Sequence, residues 1–161
     1  MNIASGIVGG VLLLLAPAFA VAQDQKWPAG SAMATGTTFL EEKAKAVAEL
    51  DRAHAALEAI LSDPLYQQEP FARSVAAVRG LKASWLDYVT HECDLYGTST
   101  LAASPWQSTH SVGCELQLVQ QRVIQVTAAT ECLSKAPKPP YQEFTSCIRL
   151  LAPLAMQSGV K

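Results

Sequence analysis

The chain has little charge and no excess of either sign. Its 161 residues carry 12 Lys and Arg against 14 Asp and Glu, a formal net charge of -2. Nucleic-acid binding needs clustered cations to neutralise phosphates, so that class of partner is not expected. The mild acidity suits a basic partner instead. An alternating strand pattern is also lacking, as are an internal repeat and a G-x-S-x-G sequence around any serine. Their absence argues against a sheet fold and against that form of serine nucleophile.

Two further absences concern the N-terminus. No Lys or Arg precedes the apolar run at 7–15, and no Cys follows it. The second removes lipid attachment at a mature N-terminus. Pro17 and the small residues Ala20-Val21-Ala22 nevertheless give the layout of a signal peptide cut before Gln23. An uncleaved anchor is the competing reading. Residues 1–22 are expected to be removed, leaving a periplasmic or secreted chain with no stable membrane insertion.

Cysteine is sparse but even, at four. In an oxidising compartment that number signals disulfides, and three pairings are open.

The remaining pattern is helical. Residues 23–37 show no apolar period and read as a flexible leader, so 38–161 is expected to form a single helical domain. Thr38 and Glu41 are placed as a capping box. Leu40, Ala44, Val47, Leu50, His54, Leu57 and Leu61 then recur at steps of three or four, predicting a helix to about Ser62. Asp63-Pro64 ends it, and Pro70 suits the start of a second helix that ends near Cys93. Residues 94–113 are rich in hydroxyls, Gly and Pro and read as a long loop. A third helix is expected from Cys114 to about Cys132, and a shorter fourth after the KAPKPP break. The fold class is therefore all-α, a small disulfide-stapled antiparallel bundle of about four helices.

The stretch WLDYVTHEC, at 85–93, gathers most of the chemistry. His91, Cys93, His110 and Cys114 supply a zinc-type ligand set, but exported thiols are expected to oxidise before they recruit metal. A catalytic Cys beside a His must stay reduced. Adjacent acids such as Glu41 with Glu42, or Glu92 with Asp94, read as solvated helix surface. The structural reading pairs Cys93 with Cys114 across the base of the long loop, and Cys132 with Cys147 across KAPKPP. Trp85 and Tyr88 are then expected in the core beneath the first bridge. No enzyme activity, metal or cofactor is expected.

These residues carry a resemblance. Trp85-x-x-Tyr88, Glu92-Cys93, then Cys114-x3-Leu118-x3-Arg122 resemble the N-terminal domain of LprI-type lysozyme inhibitors over about residues 40–130. Val89 stands where that family has an Arg after the Tyr, and the loop holds only Gly97 and Gly113. The resemblance implies a small exported helical domain, with the two matched cysteines bridged, that binds lysozyme or another peptidoglycan hydrolase. Tyr96, Trp106 and His110 are the expected anchors on the stapled loop. Glu92 and Asp94, with Glu115 opposite, are expected to form an acidic rim that steers a basic enzyme. Arg122 is expected to act structurally, as partner to one of these acids. The alternatives are an immunity protein against a competitor's cell-wall hydrolase, or a non-inhibitory envelope interaction protein.

Overall fold

The computed structural model describes residues 26–136 and 141–152. The expected signal peptide, its cleavage site and most of the KAPKPP break lie outside the described residues. Those that are described form α1 (Ala32–Leu61), a 3-10 turn (Pro64–Gln67), α2 (Ala72–Ser99), α3 (Trp106–Lys135) and α4 (Tyr141–Arg149). No helix among them is long and apolar enough to cross a membrane. The all-α, disulfide-stapled bundle is the expected class.

Three boundaries differ from expectation, each for a local reason. α1 starts at Ala32, inside the presumed leader, because Ser31 caps it: its Oγ accepts the Ala34 N–H at 3.2 Å. Thr37 and Thr38 lie in the second turn and donate back to the carbonyls of Met33 and Ala34, so no capping box forms at Thr38. α2 begins just after Pro70, then runs past Cys93 to Ser99, and α3 begins at Trp106 rather than at Cys114. The long loop is thus a connection at 100–105. Its hydroxyls are accommodated within the helices by bonding to the preceding turn: Thr98 to Asp94 O, Ser99 to Tyr96 O, Ser111 to Gln107 O.

α3 is the central element, packed against α1, α2 and α4. Its buried residues Leu116, Val119, Val123, Val126, Ala129 and Leu133 therefore serve more than one neighbour. α1 lies parallel to it. Near both N-termini Thr109 donates to Ala32 O at 3.0 Å, and further along Lys43 pairs with Glu115. α2 runs antiparallel to α3, with Gly97 facing Ser111 and Cys93 bonded to Cys114.

The two ends of the bundle are built differently. At one, where α2 ends and α3 begins, the helix backbones approach closely. A Cβ on Gly97 would lie 2.0 Å from Ser111 Oγ and 2.6 Å from the Gln107 carbonyl oxygen, so only glycine fits. Cys93–Cys114 staples this end, with Cα atoms 5.5 Å apart. At the other, Tyr66, Phe71 and Phe144 are buried with ring centroids 4.8 to 5.5 Å apart, and Cys132–Cys147 fastens α4 to α3. Both expected pairings are present. Cys93 and Cys114, however, sit inside their helices and join two rods rather than closing a loop.

Candidate binding surface

The expected anchors all lie at the stapled end, on helices. Tyr96 is in the last turn of α2 and 53% exposed, whereas Trp106 opens α3 at 37%. His110, one turn later, places its ring 5.9 Å from the indole. Leu95 is 65% exposed beside Tyr96. Leu101, in the connection, is 88% exposed and has φ of 52°, a left-handed conformation that a branched side chain rarely takes. A shallow apolar groove of about 150 Å³ lies between the first turns of α1 and α3, lined by Met33, Leu40, Pro105 and Val112 among others.

Tyr88 is not in the core. It is 56% exposed, because the buried ridge of α2 at this level is Val89, Cys93 and Gly97, and a residue one position earlier points about 100° away. Val89, the departure from the family pattern, is itself part of that ridge. Trp85 is half-buried and packs against the core, as expected.

The acids divide. Glu92 and Asp94 are exposed near the end of α2, on nearly opposite sides of the helix, and Asp87 is exposed two turns before Asp94, 3.7 Å from His91. Glu115 does not complete the rim: it faces α1 and pairs with Lys43. Nor does Arg122 partner an acid among the described residues. The residue is 3% exposed, and its guanidinium donates from Nη1 to the Leu151 carbonyl at 2.6 Å and to Gln125 Oε1 at 3.1 Å. It also lies 5.6 Å from the centroid of the Trp85 ring, a cation–π contact. Nε and Nη2 have no acceptor among the described residues. Burial pulls its pKa below the ordinary arginine value. Arg122 forms part of the wall of a groove of about 360 Å³ between α2 and α3, shared with Trp85, Tyr88, Gln121 and Leu151.

A second polar feature went unrecognised in the sequence. His54 occupies a core register position of α1, in step with Leu50, Leu57 and Leu61, and its Nε2 is buried without a partner. It borders a cleft of about 290 Å³ between α1 and α2, crossed by the ion pairs Lys82–Asp51 and Arg79–Glu58, both at 2.6 Å. Burial, then the charges of Arg122 and Lys82, lower its pKa from 6.5, with Asp51 opposing. The signal was legible only as a polar residue within an apolar stripe.

All four cysteines are consumed in disulfides, so no thiolate is available as nucleophile or ligand. What the stapled end offers is a set of exposed apolar and aromatic side chains, with exposed acids on α2. No family model, no curated protein and no solved structure matches the chain.

Proposed function

We propose that this is an exported, periplasmic or secreted binding protein that inhibits lysozyme or a related peptidoglycan hydrolase, acting by occlusion rather than catalysis. One observation carries the reading: Leu95, Tyr96, Leu101 and Trp106 remain in solvent at the end held by Cys93–Cys114 and the close contact at Gly97. Large side chains held on rigid helices bind with little ordering loss, and aromatic anchors dominate protein interfaces. Glu92, Asp94 and Asp87 supply the charge that draws a basic enzyme toward this end. The resemblance to LprI-type inhibitors agrees with this reading.

The test is lysis of cell-wall suspensions by several lysozyme types in the presence of residues 23–161. Lysis is expected to slow for at least one type, with Tyr96→Ala and Trp106→Ala relieving the block. Unchanged lysis at high molar excess across the panel overturns the inhibitor reading. Protection restricted to a hydrolase delivered by a competitor moves the protein to the immunity class.

A further inference from the structure

Among the described residues, Arg122 is a buried cation without an anion. Removing a guanidinium from water is expensive, and interior charges are normally paired. Here the groups facing it are neutral: a carbonyl oxygen, an amide oxygen and an indole face. Nε and Nη2, which carry three N–H bonds, stay unsatisfied, and His54, which feels the Arg122 charge, is itself disfavoured from carrying a proton. The groove beside the guanidinium is at the small end of the size range for small-molecule sites and is mostly apolar, with Trp85, Tyr88 and Leu81 on the α2 side. Gln121 and Gln125 form the polar part of its α3 side.

We infer that this groove is a binding site for a small carboxylate carrying an apolar or aromatic group, with Arg122 as the anion receptor and Trp85 and Tyr88 as the walls for the apolar part. Gln125 occupies the acceptor position that the ligand takes. Its amide oxygen is a weaker acceptor than a carboxylate, and an arginine fork matches the two oxygens of a carboxylate in its own plane. This site is separate from the aromatic surface assigned above to the hydrolase, so either assignment can fail without the other.

Benzoate is a suitable probe, with benzamide as its uncharged isostere and inorganic phosphate as a non-planar anion. The measurement is an NMR titration that follows the Arg122 Nε–H and Trp85 indole N–H resonances of the oxidised protein at neutral pH. Saturable shifts of both with benzoate are expected. Benzamide should bind about tenfold more weakly or worse, the equivalent of one charged hydrogen bond. Gln125→Glu, which supplies an internal carboxylate without removing the arginine, is expected to raise the melting temperature and abolish benzoate binding. Equal binding of benzamide or phosphate overturns the inference, as does wild-type benzoate affinity or a lowered melting temperature in Gln125→Glu.

Discussion

At the α4 end of the bundle the rings of Tyr66, Phe71 and Phe144 are turned inward and packed on one another, whereas at the Cys93–Cys114 end Tyr96, Trp106, Leu95 and Leu101 are left in water. The ends solve the same problem, holding helices together, with different materials. The first uses bulk: three aromatic residues fill the space between α2, α4 and the 3-10 turn. The second uses proximity. Gly97 lets α2 approach α3 with almost no side chain between them, Gly113 makes room for the Phe39 ring of α1, and a disulfide replaces apolar volume between α2 and α3. Because the α2–α3 contact needs no large residues for its own packing, this end is free to display them. That is the physical basis for locating the protein-binding surface there.

Breaking the aromatic end should have the largest effect on stability. Phe144→Ala empties the ring cluster and is expected to lower stability by about 3–5 kcal/mol in denaturant titrations. A loss below about 1 kcal/mol would show that the cluster is not the core of that end. Gly97→Ala attacks the opposite strategy. The added methyl meets a backbone carbonyl oxygen at 2.6 Å, so α2 and α3 must separate, at about 1–3 kcal/mol. Tolerance of alanine there would mean the close approach contributes nothing.

The middle of the bundle responds to pH. His54 has a folded pKa lowered by burial and by the cations Arg122 and Lys82, so the unfolded chain binds its proton more readily. Stability is therefore full above the ordinary imidazole range and lost as pH falls through it. Melts between pH 8 and 5 should show a steeper decline for the native chain than for His54→Gln, and parallel declines would refute the assignment. Trp106→Ala should have the smallest effect on stability, within about 0.5 kcal/mol, while weakening hydrolase binding strongly. A large drop in melting temperature would place the indole in the core after all.

Much of the fold was legible in the residue order. Apolar steps of three and four located four helices, and both cysteine pairs follow from helices brought side by side by short connections. The extent of α2 and α3 was not legible. Thr98, Ser99, Thr109 and Ser111 are loop formers when their hydroxyls compete with the backbone, yet here they bond to the turn behind them. Nothing local distinguishes the two outcomes. Tyr88 was misplaced for a related reason, because the stripe containing Trp85 and Tyr88 borders the buried ridge instead of coinciding with it.

Taken alone, then, the sequence determined what short-range physics controls: helical periodicity, the Asp63-Pro64 stop and an even set of cysteines. The tertiary structure decided the properties that depend on which groups meet across helices. Lys43 claims Glu115, leaving the exposed acids near this end to α2, and Arg122 is buried with no carboxylate in reach among the described residues. A charge is stabilised or stranded by neighbours many residues away, and the spacing of residues along one helix does not specify them.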